Sequence, residues 1–310
     1  MSAAPTSPAA TARPSNLRLA LVFAVMVTVW SLSFVVVKVV TQEVPPLVAA
    51  LVRAAGTALV LGPIALWDAR KNPHARFQRA DLPRLIAVAL TGITFNQVCF
   101  VVGVSMTSVV HSSIVLSLAP MLVLLVAVLA GQERASVPQF AGMAVAMTGV
   151  GWLQVSRSEG AVASPLGDLL AFLSAALFAV YSVLNKQLTA RYGGTLINAA
   201  SFAIGAVCMA PFGLWAAPSV DLIHLSARAW WGLAYLVLFT GVLAYSLFYY
   251  LLTHAPATKV ALYTYIQPLE ATLFAWILLA EPVTLAVAAA GLLVFAGVWL
   301  SAKTPSMETT

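Results

Sequence analysis

The sequence predicts an all-α integral membrane protein, with ten transmembrane helices arranged as two inverted five-helix repeats. Three observations lead to this prediction. The chain is far more apolar than a soluble domain, ten of its segments are long enough to cross a bilayer, and several residues recur at a fixed offset of 148 positions. Composition defines the class of protein, and the offset defines its internal arrangement.

The composition excludes an ordinary soluble domain. Of 310 residues, 61% are hydrophobic and 8% are charged, whereas roughly a quarter of the residues in soluble domains are charged. The mean hydropathy is +0.95. The net charge of +6 comes from 16 basic and 10 acidic residues. Because the basic residues are scattered through short connectors without interleaved aromatic residues, no nucleic-acid partner is expected.

Ten apolar segments are predicted to cross the membrane. Each is close to the 20 residues that a membrane helix needs, and each is bounded by polar residues, Pro or Gly. These spans, numbered 1 to 10, are residues 17–40, 45–67, 82–104, 107–130, 137–155, 166–188, 194–217, 228–252, 256–280 and 282–302. Residues 1–16 are expected to form a flexible cytoplasmic tail, and residues 303–310 a second one.

The distribution of Lys and Arg predicts the orientation. With the amino terminus inside, twelve basic residues fall in cytoplasmic segments and three, Lys38, Arg157 and Arg228, fall on the other side. The sixteenth, Arg53, lies inside span 2. Since Lys and Arg are retained on the cytoplasmic side, both termini are predicted to be cytoplasmic, in the cell inner membrane.

The repeat is the most informative feature. Val35, Lys38 and Thr41 recur as Val183, Lys186 and Thr189, and Pro120, Leu125, Glu133, Gly149 and Val150 recur as Pro268, Leu273, Glu281, Gly297 and Val298. The Lys, Pro, Glu and Gly matches have most weight, because apolar residues match by chance. Residues 17–155 and 166–302 are therefore predicted to be repeats of five spans each. An odd number of spans inverts the second copy, which is typical of secondary transporters.

Two ionisable residues stand out because they lie inside spans, Arg53 in span 2 and Glu270 in span 9. Such residues cost roughly 2.5–3.5 kcal/mol on insertion and are usually functional or paired. They could pair with each other. Alternatively, Arg53 could bind a carboxylate and Glu270 an amine, which would suit a zwitterion. Snorkelling of Arg53 to a headgroup is a third reading. Neither residue recurs, since the offset leads to Ser201 and Leu122.

Other polar and aromatic residues would be unusual on a lipid-facing surface, and they are predicted to line a substrate cavity with Arg53 and Glu270. They are Trp30, Ser33, Asn96, Gln97, His111, Ser113, Tyr181, Asn185, Tyr245, Tyr263 and Gln267. Tyr263, Gln267 and Glu270 share one helical face. For any single one of these residues, packing or an interhelical hydrogen bond is an equally good reading. A lone His111 at a helix start indicates proton coupling only weakly.

Pro120 and Pro268 fall near the middle of spans 4 and 9. Each removes a backbone donor and is expected to kink its helix, so a hinge is predicted in each half. Gly149 and Gly297, in spans 5 and 10, are interpreted as positions where two helices pack closely.

Motifs for other chemistry are missing from the sequence. It contains no G-x-x-x-x-G-K-[ST], no H-E-x-x-H and no G-x-S-x-G. No catalytic residue, metal ligand or cofactor is therefore predicted.

The run Trp30-Ser-Leu-Ser-Phe-Val-Val-Val-Lys38, followed by Val44-Pro-Pro-Leu and Arg53, resembles the first two helices of the EamA family in the drug/metabolite transporter superfamily. Ser117-Leu-Ala-Pro120 with Gly131-Gln-Glu-Arg134, and Gln267-Pro268 with Glu281-Pro-Val-Thr284, resemble its paired signatures on spans 4 and 9. The resemblance covers residues 17–302. It implies a ten-helix bundle, usually an inner-membrane exporter of amino acids, related metabolites or drugs, with spans 1, 3, 4, 6, 8 and 9 around a central cavity.

One position departs from the family. Its members often have Glu before the proline of span 9, whereas this chain has Gln267 there and an acid three residues later, at Glu270. Positions three apart share a helical face, so the charge could be displaced rather than lost.

The predicted function is export of amino acids or related small amphipathic solutes by alternating access. Two alternatives remain open at this point: translocation of a lipid-linked substrate, which predicts a lateral opening, and a non-transporting scaffold or membrane enzyme. The expected partners are a small-molecule solute and the lipid bilayer, with proton coupling left open. One chain is sufficient to enclose a path, and a dimer is also left open.

Overall fold

The computed structural model describes residues 14–71, 77–134, 136–155, 164–221, 224–255, 260, 266–302 and 307–308. These residues are helical, apart from short turns and a two-residue antiparallel ladder between Glu133–Arg134 and Met307–Glu308. The α-helices are α1 (Asn16–Val40), α2 (Pro46–Lys71), α3 (Leu82–Ala89), α4 (Asn96–Met106), α5 (Val109–Leu116), α6 (Ala119–Leu129), α7 (Val137–Val155), α8 (Pro165–Tyr192), α9 (Gly194–Ala216), α10 (Ala227–Tyr235), α11 (Tyr245–His254), α12 (Gln267–Leu279) and α13 (Leu285–Ala302).

Seven helical stretches in the described residues are long and apolar enough to cross a membrane. They are Asn16–Val40, Pro46–Arg70, Arg79–Met106, Val109–Leu129, Pro165–Tyr192, Gly194–Ser219 and Ala227–His254. Gln267–Leu279 and Leu285–Gly297 are shorter apolar helices. Much of predicted span 9, residues 256–259 and 261–265, lies outside the described residues, so the count of ten spans stays a prediction.

The offset of 148 residues reappears in the bounds of the helices. Helix α2 begins at Pro46 and α9 at Gly194, and α7 and α13 begin at Val137 and Leu285. The stretch Arg79–Met106 has its counterpart in Ala227–His254, with both ends shifted by the same 148 positions. In the described residues, these helices of the two halves therefore occupy equivalent positions in the repeat.

Each half also contains a π-helical segment that the hydrophobic pattern did not predict. Leu90–Phe95 separates α3 from α4, and Leu236–Ala244 separates α10 from α11, at equivalent places in the repeat. A π-segment accommodates an extra residue and is common at functional sites. At Gly92 the ring of Tyr181 packs so closely that an added Cβ would lie 1.9 Å from its Cδ2.

The helix that contains Pro120 is interrupted just before it, whereas the sequence predicted a kink in a continuous helix. Helix α5 ends at Leu116, two turn residues follow, and α6 begins at Ala119 with Pro120 as its second residue. Pro268 holds the same place at the start of α12. Pro120 lacks the N–H that would bond the Leu116 carbonyl, and a proline is favoured in a first helical turn.

Equivalent helices of the two halves pack against each other and run antiparallel. A Cβ added at Gly149 of α7 would meet Ala290, Leu293 and Val294 of α13, whereas one added at Gly297 would meet Gly142 and Ala146. Moving towards the carboxyl end of one helix therefore leads towards the amino end of the other, so the two helices are antiparallel.

Helices α2 and α9 show the same pattern. Leu51, early in α2, lies against Gly213, late in α9. Leu61 and Ala65, later in α2, cluster with Ala199, early in α9. Two pairs of equivalent helices thus give the second repeat the opposite direction to the first.

The surface of the described helices is apolar. Leu129 is 79% exposed and Trp215 is 80% exposed, and many other large hydrophobic side chains point outward in the same way. Exposed apolar area on this scale marks contact with a membrane or a partner. On helices of this length and hydropathy, it is the surface expected to face lipid.

The α7–α13 contact leads to a prediction about stability. Gly297→Ala is expected to lower the free energy of unfolding by about 1–3 kcal/mol, the usual cost of overpacking. The added Cβ would lie 2.4 Å from the carbonyl oxygen of Gly142, and backbone cannot move aside cheaply. Gly291→Ala, in the same helix, is the control, because its Cβ would meet no atom closer than 4.0 Å. The thermal unfolding midpoint, measured in detergent by tryptophan fluorescence, distinguishes the two. Equal midpoints for both variants would contradict the close packing.

Candidate functional site

A cavity of about 70 Å³ lies between the two repeats. That volume has room for roughly five water molecules. The first repeat contributes Trp30, Ser33, Arg53, Asn96, Phe100, Leu116 and Ala119, and the second contributes Ser174, Ala175, Phe178, Tyr245 and Gln267. The cavity is thus built at the boundary between the halves, where secondary transporters bind their cargo.

Breaks in regular helix bring several of these residues to the cavity. Leu116 and Ala119 flank the interruption that precedes Pro120, and Gln267 begins α12 at the equivalent point. Asn96 directly follows one π-segment and Tyr245 directly follows the other. The irregular parts of both repeats therefore converge on the same space.

One wall of the cavity is aromatic. The ring centroid of Trp30 lies 5.8 Å from that of Phe178 and 5.5 Å from that of Tyr245, both in edge-to-face geometry. Phe248 packs behind them, 5.6 Å from Trp30. Aromatic pairs at these distances attract one another and hold each ring in place. The wall is a fixed apolar surface against which a flat solute could stack.

The polar lining is partly committed to holding the helices together. Asn96 donates from Nδ2 to the carbonyl oxygen of Ser174 at 2.8 Å and to its Oγ at 3.0 Å, which joins α4 to α8 across the repeats. Ser33 donates from Oγ to the Trp30 carbonyl at 2.6 Å. The Asn96 carbonyl and the Ser33 lone pairs remain available as acceptors.

Arg53 is the one basic residue among the described residues that line the cavity. It is 4% exposed, and its Nε and Nη1 atoms have no hydrogen-bond partner. The guanidinium carbon lies 5.9 Å from the ring centroid of Phe100, a cation–π contact. Tyr235 and Tyr245 are near enough to interact with its charge.

The ion pair between Arg53 and Glu270 that the sequence allowed is not formed. Glu270 accepts a hydrogen bond from Oγ1 of Thr28 at 3.1 Å, on α1, and it does not line the cavity. Its Oε2 atom is buried and has no partner among the described residues. Glu270 therefore joins α12 to α1, and the guanidinium is left without a protein carboxylate.

Six of the predicted site residues line the cavity: Trp30, Ser33, Arg53, Asn96, Tyr245 and Gln267. Gln97, Tyr181 and Asn185 are buried elsewhere between helices. Tyr181 donates to the Tyr249 hydroxyl at 2.8 Å, and Asn185 accepts from Thr189 at 3.4 Å. Tyr263 lies outside the described residues. His111 and Ser113 are buried on α5, where Ser113 bonds the Val110 carbonyl.

Sequence reasoning missed Asp168, which is 3% exposed near the start of α8. One of its oxygens accepts a hydrogen bond from Thr107 Oγ1 at 2.8 Å, and the other lies 3.4 Å from Nδ1 of His111. The sequence did contain an indication of this buried acid, because Asp168 falls inside predicted span 6. Since it lies in the first turn of the helix, it resembled a polar residue at the boundary of the span.

Two further charged side chains lie beside this pair. The ammonium of Lys38 donates to the carbonyl oxygens of Thr107, Ser105 and Val104, at 2.7, 3.1 and 3.4 Å. The carboxylate of Glu281 accepts from the first two backbone N–H groups of α5, at 3.0 and 3.2 Å. A cation at a helix carboxyl end and an anion at an amino end are both favourable. We call Lys38, Thr107, His111, Asp168 and Glu281 the Asp168 cluster.

The Asp168 cluster lies beyond one end of the cavity. Lys38 follows Ser33 by five residues, and Thr107 follows Phe100 by seven. At 1.5 Å per helical residue, these spacings correspond to roughly 7–11 Å. Asp168 precedes Ser174 on α8, which runs the opposite way, so all three displacements point to the same end.

A second set of polar contacts joins the repeats at the other end. Asp81 accepts from Arg191 Nη1 at 2.7 Å and from the Tyr192 hydroxyl. Arg84 donates from Nε to the Leu184 carbonyl at 3.2 Å and from Nη1 to Gln187. We call the side chains of this set, Asp81, Arg84, Gln187, Arg191 and Tyr192, the Asp81 cluster. The cavity is therefore flanked at both ends by polar contacts that cross from one repeat to the other.

Comparisons with known proteins agree with this architecture. The EamA-like transporter family matches the chain twice, at residues 17–154 and 165–303. A solved crystal structure with 19% sequence identity has a TM-score of 0.66, covers 92% of this chain and 96% of its own, and so shares the fold.

Relatives of known sequence carry transporter names. An uncharacterized transporter of Archaeoglobus fulgidus is 27% identical over 92% of this chain and 98% of its own length. The uncharacterized transporter YetK of Bacillus subtilis is 24% identical over 81% of this chain and 76% of its own. A probable terminal-alkyne amino-acid exporter of Streptantibioticus cattleyicolor is 30% identical over 52% of this chain and 50% of its own.

The contacts of Lys38 lead to a prediction that uses the internal repeat. Lys38→Met is expected to lower the free energy of unfolding by about 1.5–3 kcal/mol, because three carbonyls at the end of α4 lose a charged donor. Lys186→Met is the matched control, since Lys186 is the repeat equivalent and its side chain shows no hydrogen bond or ion pair in the described part of the chain. Thermal unfolding in detergent measures both. A larger loss for Lys186→Met would contradict the assignment.

Proposed function

Because this chain belongs to the EamA-like transporter family, we propose that it is a secondary transporter that carries a small amphipathic solute by alternating access. The chain is a multi-pass membrane protein, and its relatives are named as transporters and not as enzymes. The finer proposal concerns the mechanism, the orientation and the class of solute.

The observation that supports alternating access best is a cavity lined by both repeats and flanked by cross-repeat contacts at both ends. If the Asp168 cluster separates while the Asp81 cluster holds, the cavity opens to one side, and the reverse movement opens it to the other. Since the repeats run in opposite directions, the same rocking of each half serves both openings.

Pro120 and Pro268 are the proposed hinges. A turn separates α5 from α6 just before Pro120, and Pro268 lies in the first turn of α12, so a change of angle at either place breaks few intrahelical hydrogen bonds. Both places border the cavity, through Leu116, Ala119 and Gln267. A bend at either proline would therefore change the shape of the cavity and the access to it together.

We propose the predicted topology for this mechanism: ten spans in two inverted five-helix repeats, in the cell inner membrane, with both termini cytoplasmic. The excess of Lys and Arg on one side supports it. In that orientation the Asp81 cluster closes the cytoplasmic end, and the Asp168 cluster closes the outer end.

Export of an amino acid or a related metabolite is the proposed direction and solute class. The relative from Streptantibioticus cattleyicolor, a probable terminal-alkyne amino-acid exporter, supports this over about half of the chain. The aromatic wall and the polar groups of the cavity suit a solute with one apolar and one polar end.

A second candidate, translocation of a lipid-linked substrate, is favoured by an apolar groove of about 460 Å³. The groove lies between α1, α10 and α12 and is lined mainly by valine and leucine side chains, with Trp231 and Tyr235. Such a groove could hold an acyl or prenyl chain beside the bundle. Its lining shares no residue with that of the cavity, so the two candidates use different surfaces.

Filling the cavity tests the main proposal. Ala175→Phe is expected to abolish at least about 90% of saturable solute flux in proteoliposomes, because Ala175 lines the cavity and an added ring would fill its space of about 70 Å³. Ala144→Phe, which places the same ring on the exposed face of α7, is the control and should keep wild-type flux. Radiolabelled amino acids and related amphipathic solutes serve as the panel. Full flux through Ala175→Phe, with a normal unfolding midpoint, would redirect the search to the lateral groove.

Glu270 tests proton coupling. Glu270→Gln should keep the Thr28 hydrogen bond, because an amide oxygen also accepts, yet an amide cannot carry a proton on and off at ordinary pH. We expect uptake driven by a pH gradient to fall at least about tenfold while solute exchange continues. Glu43→Gln is the control, since this carboxylate bonds Ser226 in a loop, outside the spans. Unchanged gradient-driven uptake in Glu270→Gln would exclude this residue from coupling.

A further inference from the structure

The cavity holds a buried cation and offers it no anion. Arg53 is 4% exposed, and its Nε and Nη1 atoms together carry three N–H donors without an acceptor. A buried charge is normally paired, because burial removes its hydration. The contact with Phe100 compensates part of that loss and leaves the in-plane donors free.

No carboxylate of the described residues lines the cavity and could fill this role. None of the ten Asp and Glu residues of the sequence is among the described residues that line the cavity. Asp168 is engaged with Thr107, and Glu270 with Thr28. The stretches 256–259 and 261–265, outside the described residues, contain no acidic residue.

We propose that the cavity binds its solute as an organic carboxylate monoanion with a small aromatic body, and that Arg53 holds the carboxylate. This proposal rests on the proposed function and names the class of its solute. The guanidinium supplies a charged, planar fork that matches a carboxylate, and the counter-charge arrives with the cargo.

The rest of the cavity fits the same class of solute. Trp30, Phe178 and Tyr245 form a wall on which one ring can stack. An ammonium group would find only neutral acceptors here, such as the Asn96 carbonyl oxygen. A zwitterionic amino acid is therefore expected to bind more weakly than the corresponding acid without the amine.

The test uses three probes with the same ring and different charge: phenylacetate, phenylglycine and benzylamine. Binding to the purified protein in nanodiscs of phosphatidylcholine is measured by calorimetry. We expect phenylacetate to bind at least about tenfold more tightly than phenylglycine, and benzylamine to show no binding. Phenylglycine binding as tightly as phenylacetate, or benzylamine binding at all tightly, would overturn the proposal.

Variants locate the site. Arg53→Gln is expected to weaken phenylacetate binding at least about tenfold, and Arg53→Lys, which keeps the charge, to lose less. Lys186→Gln removes a positive charge outside the cavity and should bind as the wild type does. If Arg53→Gln does not fold, the relative affinities of the three probes for the wild-type protein still test the proposal.

Two further arms separate this proposal from its alternatives. Phosphatidylglycerol added to the nanodiscs should not compete with phenylacetate, and competition would assign Arg53 to a lipid headgroup instead. Radiolabelled phenylacetate flux in proteoliposomes separates binding from transport. Binding without flux would keep the anion site and reject the proposed carrier, whereas flux of phenylglycine in preference to phenylacetate would keep the carrier and reject the anion class.

Discussion

The structure depends on one constraint, which is that backbone polar groups inside a bilayer cannot find water and must be satisfied by the protein. Regular helices satisfy them automatically, so departures from regular helix need protected places. In this chain the turn before Pro120 borders the cavity, and the two π-segments directly precede residues that line it. These irregular segments therefore each have one side against the protein interior, while Phe95, Leu238 and Phe239 of the π-segments face outward.

The repeat explains why a symmetric frame can hold an asymmetric site. Prolines in a first helical turn, π-segments and closely packed glycines occur in both halves at equivalent positions, because they build the frame. Arg53 occurs in one half, and its equivalent is Ser201 on α9. The halves together thus place a single charge beside a shared aromatic wall.

Much of the frame is legible in the sequence, since membrane length and hydropathy determine where α1, α2 and α9 begin and end. Polar residues such as Asn96 and Gln267 were recognisable as interior because lipid would not tolerate them. Tyr181 and Gln97 carry the same signal but pack between helices, since polarity indicates the interior and not the cavity. The π-segments were invisible, because one extra residue hardly alters an almost uniformly apolar pattern. Asp168 was missed because an acid near the end of a predicted span has the same sequence pattern whether its side chain is exposed at the boundary or buried.

The contact between α7 and α13 has a practical consequence. Gly297 meets the backbone of Gly142 and Ala146, and Gly149 meets the Ala290 carbonyl and the side chains of Leu293 and Val294, so the two helices are closely packed at both points. Neither helix contributes a residue to the cavity in the described part of the chain. This pair is therefore a suitable reference for spectroscopic distance measurements. Distances from a probe on its outer face to probes on the other helices would all be measured from the same point.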